Sequence, residues 1–191
     1  MSFLFVGVGN PGNEYQGTRH NIAWDCFDQG PLDSELHWKS KFKGEYAQVS
    51  RKSENHYFLK PQTYMNLSGE SVLPCSKFFK VSPKNIIVLH DDIDLDFGLI
   101  VLKKGGGLAG HNGLKSIAKV LGTQDFLRMR IGVGRPKYGD VSNHVLSKFS
   151  QDESIFLDKV YDLVTSAVEE IIKVGFDRAS NKFSRQRINM E

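Results

Sequence analysis

The sequence predicts an α/β domain in which helices flank a twisted, mixed β-sheet. Short runs rich in β-branched and aromatic residues alternate along the chain with segments of helical periodicity, a pattern typical of this class. The 191 residues, 40% of them hydrophobic, are enough for one well-buried core. No internal repeat, low-complexity tract or linker divides the chain. We therefore expect residues 1–191 to form a single globular domain.

Six segments have the length and composition of β-strands. The first contains the apolar run Phe3-Leu4-Phe5-Val6, which predicts a buried strand. Several of the others are short and rich in Val, Ile, Tyr or Phe, the residues that strands favour. The six predicted strands are residues 3–8, 45–50, 56–59, 85–90, 98–103 and 127–134.

Four segments predict helices, at residues 21–29, 68–80, 113–121 and 151–174. The last is the best defined, because Ser150 and Glu153 have the spacing of a capping box and Gly175 suits its end. Pro74 falls inside the second segment and predicts a later start or a kink there. The remaining residues, 176–191, combine few apolar side chains with four cations, which predicts a basic tail that is either mobile or part of a surface for a polyanion.

Basic residues concentrate in the second half of the chain, although the net charge is only +3. Residues 99–148 hold two Asp and nine cations, namely Lys103, Lys104, Lys115, Lys119, Arg128, Arg130, Arg135, Lys137 and Lys148. This distribution suits a polyanionic partner or, equally, a solvated basic face. With no run long enough to cross a bilayer and no paired cysteines, we expect a soluble cytoplasmic protein with reduced thiols.

The loop after the first strand carries the most informative residues. Its pattern Gly7-x-Gly9-x-x-Gly12 matches a dinucleotide fingerprint, but no helix follows at once to hold a pyrophosphate, which disfavours a nicotinamide cofactor. Asn10 and His20 lie in and just after this loop. Polar side chains at the end of a buried strand are typical of sites in α/β proteins. They predict acid–base chemistry without a metal or a covalent nucleophile.

Two other loops leave alternatives open. Asp92-Ile93-Asp94 follows a predicted strand, as in phosphotransferases that bind Mg²⁺ through an Asp-x-Asp motif, and this is the alternative enzyme class. An EF-hand is excluded because Gly and Glu are missing at the sixth and twelfth positions of the loop. Residues 105–113 form a second glycine-rich loop, which predicts either a phosphate contact or a flexible lid.

Five motifs occur in a fixed order along the chain. They are Gly9-Asn10-Pro11-Gly12 with Tyr15 and Thr18-Arg19-His20-Asn21; Lys60-Pro61 with Thr63-Tyr64-Met65-Asn66 and Ser68-Gly69; Asp91-Asp92-Ile93-Asp94-Leu95 with Gly98; Gly110-His111-Asn112-Gly113; and Arg130-Ile131-Gly132-Val133-Gly134-Arg135-Pro136. Together they closely resemble the bacterial-type peptidyl-tRNA hydrolase family, from residue 3 to about residue 183. Leu108 and Ala109 depart from that family, which commonly has His or Gly in this loop.

The resemblance implies an esterase that cleaves the bond between a peptide and the 3′ ribose of tRNA and so recycles the tRNA. It implies His20 as the catalytic base and Asp91 as its partner. The resemblance implies peptidyl-tRNA as the partner. We expect no cofactor and no metal, because the alkoxide that leaves an ester needs no metal, and we expect no membrane partner and, by default, a monomer. The implied substrate-binding residues are Asn10, Tyr15, Tyr64, Asn66 and Asn112, and the implied tRNA-binding residues are Lys103 and Arg130.

The residue chemistry agrees with this implication. A neutral imidazole with a reference pKa of about 6.5 is suited to take a proton from water, and a carboxylate fixes its tautomer. His90, His111 and His144 are rival bases, of which we expect His111 to support its loop and the other two to be structural. A second hypothesis is an RNA-binding protein without catalytic activity, which would explain the cations but not the grouped His, Asn and Asp residues.

Overall fold

The computed structural model describes residues 1–136 and 138–191, so Lys137 of the basic segment lies outside the described residues. Within them, eight strands form one mixed sheet in the order β2-β3-β4-β1-β5-β7-β6-β8. The strands are β1 Leu4–Gly7, β2 Lys39–Lys41, β3 Gly44–Arg51, β4 Glu54–Pro61, β5 Ile86–Asp92, β6 Leu99–Lys104, β7 Leu127–Gly132 and β8 Gln186–Arg187.

The four central strands β4, β1, β5 and β7 run parallel, and the outer strands pair antiparallel to their neighbours. The carboxyl ends of the central strands therefore meet at one edge of the sheet, where α/β proteins place their sites. This arrangement confirms the prediction of a mixed α/β sheet. It also brings the loop after β1 beside the end of β5.

Helices cover both faces of the sheet. The helices are α1 Ile22–Asp28, α2 Gly69–Phe78, α3 Asn112–Leu121, α4 Val141–Val145, α5 Gln151–Ser154, α6 Leu157–Val174 and α7 Phe176–Lys182. Phe5 belongs to a buried cluster with residues of α1 and α6, whereas the next residue, Val6, belongs to a cluster with residues of α2 and α3. Because successive side chains of a strand point to opposite faces, a continuous apolar strand serves both layers.

All six predicted strands are present, with ends shifted by at most two residues. Strands β2 and β8 were not predicted, because both are short, polar and exposed. The predicted helix 151–174 is two helices, separated at Ile155 and Phe156. Helix α2 begins at Gly69 and keeps Pro74 in its interior, so the predicted later start is wrong.

The prediction of a mobile tail over residues 176–191 is wrong as far as Ile188. Helix α7 buries Phe176 and Ala179, Phe183 follows it into the core, and β8 pairs with β6. The few apolar residues of this segment lie three and four positions apart, so one helical face gathers them against the domain. Among the described helices, none combines the length and apolar character that a bilayer span requires.

Candidate active site

The predicted site residues reach the same edge of the sheet from separate loops. Asn10 follows β1, and Asp91 lies at the end of β5. His20 lies in a 3₁₀ turn, Arg19–Asn21, and Asn66 lies in another, Met65–Leu67. Asn112 is the first residue of α3. Four separate segments of the chain supply these five residues, so the parallel topology is what assembles them.

The loop after β1 is shaped by packing rather than by a bound phosphate. A Cβ on Gly9 would lie 2.7 Å from the indole ring of Trp24, whose Nε1 donates a hydrogen bond to the carbonyl of Gly7 at 2.8 Å. Glycine is thus required at position 9 for α1 to approach the loop. This packing explains the match to a dinucleotide fingerprint without a cofactor.

His20 and Asp91 form a hydrogen-bonded pair. The distance from His20 Nδ1 to Asp91 Oδ1 is 2.8 Å, and Asp91 is 3% exposed. Burial tends to raise the pKa of Asp91, but His20 and His111 outweigh it and hold that pKa well below its usual range. The carboxylate is therefore ionised and accepts a hydrogen bond from the Nδ1–H of His20. The lone pair of a neutral His20 then lies on Nε2.

His111 shares the same carboxylate oxygen, and its other contacts fix its tautomer. Nδ1 accepts hydrogen bonds from the backbone N–H groups of Gly113 and Leu114, at 3.1 and 3.4 Å, and so caps α3. Since Nδ1 must be unprotonated, Nε2 carries the hydrogen and donates it to Asp91 Oδ1 at 3.0 Å. His111 is thus held as a donor to Asp91 and has no lone pair left to act as a base.

The nitrogen and oxygen atoms of His20, Asp91 and His111 that could bind a metal ion lie within 4.8 Å of one another. A metal ion on His111 would need the lone pair of Nε2, but that nitrogen is protonated because Nδ1 accepts from the backbone. The three residues therefore fit a hydrogen-bonded chain and not a ligand set in this arrangement.

The other two rival bases are engaged elsewhere. His90 is buried and its Nδ1 donates to the carbonyl of Asp91 at 2.7 Å. Burial, together with the nearby His111, lowers the pKa of His90 to about 3, so it stays neutral. His144 lies on α4, where its Nε2 contacts the carbonyl of Gly134 at 2.9 Å. Both contacts agree with the expected structural roles.

Asn10 is oriented by three hydrogen bonds. Its Oδ1 accepts from the backbone N–H of Met65 at 2.7 Å, and its backbone exchanges two bonds of 2.9 Å with the side chain of Asn21. The Met65 bond fixes the amide orientation, so that the NH₂ group of Asn10 is available as a donor to the cleft beside it.

An open cleft of about 710 Å³ connects these groups. Its lining includes the predicted residues Asn10, His20, Tyr64, Asn66 and Asn112. Tyr15 lies at the margin, with its ring edge-on to Tyr64 at 6.4 Å between centroids. Helix α4 and the residue after it supply an apolar wall through Val141, Val145 and Leu146. This wall could not be predicted from the sequence, because α4 is a short helix within a polar segment.

The two predicted tRNA-binding residues lie on neighbouring strands, Lys103 on β6 and Arg130 on β7, outside the lining of the cleft. Lys103 is exposed, whereas Arg130 Nε donates to Asp92 Oδ2 at 2.7 Å. Arg135 likewise bonds Asp94 at 2.9 Å through its Nε. Both aspartates of the Asp-x-Asp motif are thus paired with arginine, which disfavours a magnesium site there.

Comparison with known proteins identifies the family to which this chain belongs. The family model described as peptidyl-tRNA hydrolase matches residues 4–191. The chain belongs to the peptidyl-tRNA hydrolase family. It is 43% identical over 184 residues to a peptidyl-tRNA hydrolase of Clostridium novyi, covering 95% of this chain and 97% of that one. This membership confirms the resemblance and the prediction of a hydrolase.

Solved structures of the peptidyl-tRNA hydrolase family share the fold. A crystal structure of the peptidyl-tRNA hydrolase of Acinetobacter baumannii is 37% identical, with a TM-score of 0.86, over 97% of this chain and 95% of that one. Another, of a peptidyl-tRNA hydrolase in complex with n-propanol, has the same identity and coverage and a TM-score of 0.88. The predicted fold class is therefore confirmed at the level of the whole domain.

Proposed function

We propose that this protein hydrolyses the ester bond between the peptide and the 3′ ribose of peptidyl-tRNA, with a water molecule activated by His20. The observation that chiefly supports the proposal is the 2.8 Å bond from His20 to the ionised, buried Asp91, which leaves Nε2 of His20 as the basic atom at the cleft. Family membership supplies the substrate class.

In the proposed reaction, His20 Nε2 takes a proton from water while the water oxygen attacks the ester carbonyl. Asp91 stays ionised and stabilises the imidazolium that forms. The amide groups of Asn10, Asn66 and Asn112 donate to the peptide and to the developing oxyanion. The imidazolium then returns the proton to the departing ribose oxygen. No covalent intermediate forms, and the scheme requires neither a metal nor a cofactor.

We assign the binding of the rest of the substrate to residues around the cleft. Tyr15 and Tyr64 offer aromatic surface beside the asparagines. We assign the binding of the peptide and of the terminal nucleoside to this aromatic surface. Lys103 and Arg130 are assigned to tRNA phosphates, which many tRNAs share irrespective of sequence. Because one chain supplies every proposed residue, we propose a monomer, acting in the cytoplasm where its substrate is made.

The variant His20→Ala tests the assignment of the base. We expect kcat for release of tRNA from an N-blocked aminoacyl-tRNA to fall at least about 100-fold, since a general base contributes roughly 10² to 10⁴. Binding of uncharged tRNA should persist, because the cations that we assign to phosphates are unchanged. The measurement is single-turnover hydrolysis together with a tRNA-binding isotherm.

His37→Ala is the matched control, because His37 is exposed and lies outside the cleft. It should hydrolyse at the wild-type rate, and wild-type activity should be unchanged by EDTA. Turnover of His20→Ala above a tenth of the wild-type rate would exclude His20 as the base. Binding without hydrolysis by the wild type would favour the RNA-binding hypothesis.

A further inference from the structure

A buried arginine outside the catalytic group has an unsatisfied side chain. Arg128 lies on β7 and is 2% exposed. Its Nη1 donates to the carbonyl of Gly107, at 2.8 Å, in the second glycine-rich loop. Its Nε and Nη2 are buried and have no hydrogen-bond partner among the described residues. Most buried polar groups in proteins are paired, so this exception requires an explanation.

The unpaired atoms form one edge of the guanidinium group. Nε–H and Nη2–H point in the same direction, and their spacing matches two oxygens of a phosphate or carboxylate group. Burial lowers the pKa of Arg128, and nearby Arg130 lowers it further, while Asp92 partly compensates. A buried cation that lacks a paired anion is costly to maintain. The free edge is therefore a strong site for an incoming oxyanion.

Lys103 and the glycine-rich loop lie next to this edge of Arg128. Lys103 pairs in register with Arg128 across β6 and β7, so the two side chains share a face of the sheet. A Cβ on Gly106 would lie 3.1 Å from Arg128 Nη2 and 3.2 Å from Lys103 Nζ. Gly106 also has a φ of +90°. Only glycine allows the loop to cover both cations this closely.

We propose that Arg128, with Lys103 and the loop residues 105–107, forms an oxyanion-binding site that takes a phosphate group of the RNA. The anion binds the Nε and Nη2 edge of Arg128, and the exposed Gly106 and Gly107 move to admit it. The assignment to RNA rests on the proposed function. Four residues beyond Gly107 the same loop reaches His111, so phosphate binding also orders the residue that donates to Asp91.

The variant Arg128→Met tests the site, since methionine fills the space without charge. In phosphate-free buffer we expect Arg128→Met to melt at a higher temperature than the wild type, because an unpaired buried charge is removed. Inorganic phosphate should raise the Tm of the wild type and shift the amide resonances of Gly106 and Gly107. Arg128→Met should show neither response to phosphate.

Two further variants separate the contributions. Lys173→Met removes an exposed cation on α6 and should retain the full phosphate response. Arg128→Lys keeps the charge but lacks the two-donor edge, so we expect at least a tenfold loss of phosphate affinity. Uncharged tRNA should bind Arg128→Met about tenfold more weakly than the wild type, which identifies RNA rather than free phosphate as the source of the anion.

If phosphate changes the Tm and the amide resonances of Arg128→Met as much as those of the wild type, the proposed site is excluded. Unchanged tRNA affinity with a lost phosphate response would overturn the assignment to RNA. The thermal and NMR measurements use no substrate, so they do not depend on the result for His20→Ala.

Discussion

At the scale of single residues, the tautomer of His111 decides how the histidines divide their roles. Both His20 and His111 donate to the same oxygen of Asp91, but only His111 has its second nitrogen bound to backbone N–H groups. Hydrogen bonding therefore separates two otherwise equivalent imidazoles into a base and a positioning residue. Their order in the sequence contains no such information, because the capping contact forms only when α3 folds.

The variants His111→Asn and His111→Ala test this division. Asparagine is a good N-cap, so His111→Asn should keep the stability of α3, whereas His111→Ala should lose about 1 kcal/mol in urea unfolding. Neither variant retains the bond from Nε2 to Asp91. We expect both to lower kcat about tenfold with little change in KM. A variant His111→Asn with wild-type kcat would show that the residue acts only as a cap.

At the scale of elements, hydrogen bonds connect the segment that contains α4 and α5 to the turn that contains His20. Arg19 donates to Ser147 Oγ at 2.7 Å and to Glu153 Oε2 at 2.6 Å. The same Glu153 oxygen accepts from the backbone N–H of Ser150, which confirms the predicted capping box. One carboxylate thus joins the start of α5 to the residue before His20.

Glu153→Gln tests this connection. The side chains of Arg19 and Glu153 are only 8% and 22% exposed, so loss of the charge leaves a poorly compensated arginine. We expect a loss of roughly 1–3 kcal/mol in the free energy of unfolding, measured with urea. Glu170→Gln is the control, since its partner Lys182 is 62% exposed and such pairs contribute about 0–1 kcal/mol. Equal losses in the two variants would contradict the argument.

Elements were predictable where the apolar pattern was long. The strands around Phe5 and Ile87 and the helix around Val164 follow from continuous or periodic apolar residues. The short elements β2, β8 and α4 could not be predicted, because pairing or packing with distant segments stabilises them and their own residues are mostly polar.

At the scale of the whole molecule, half-buried Asp25 and buried His90 give stability an opposite dependence on pH. Burial and the neighbouring Asp28 raise the pKa of Asp25 to about 7 from a reference value of 3.8. The folded state therefore holds this proton more tightly, and stability falls as the pH rises from about 4 to about 7 and levels off above that. His90, with its pKa lowered to about 3, destabilises the folded state as the pH falls below about 6.5.

Asp25→Asn should remove the part of this dependence that Asp25 causes. We expect a gain on the order of 2 kcal/mol at pH 8 and a smaller gain at pH 5, where the folded state still holds the proton. Urea unfolding at both pH values measures it. The control Asp33→Asn changes an exposed carboxyl and should leave both values nearly unchanged. A gain at pH 5 equal to that at pH 8 would exclude titration of Asp25 as the cause.

The sequence by itself determined the fold class and the family, because apolar periodicity and the short motifs around His20, Asn66 and Asp91 are local properties of the chain, and the resemblance then implied the candidate site residues. Tertiary structure alone decided which imidazole keeps a free lone pair, what covers the cleft, and that Arg128 is buried with an open edge. These properties depend on burial and on hydrogen bonds between residues far apart in sequence. Neither exists until the sheet brings the loops together.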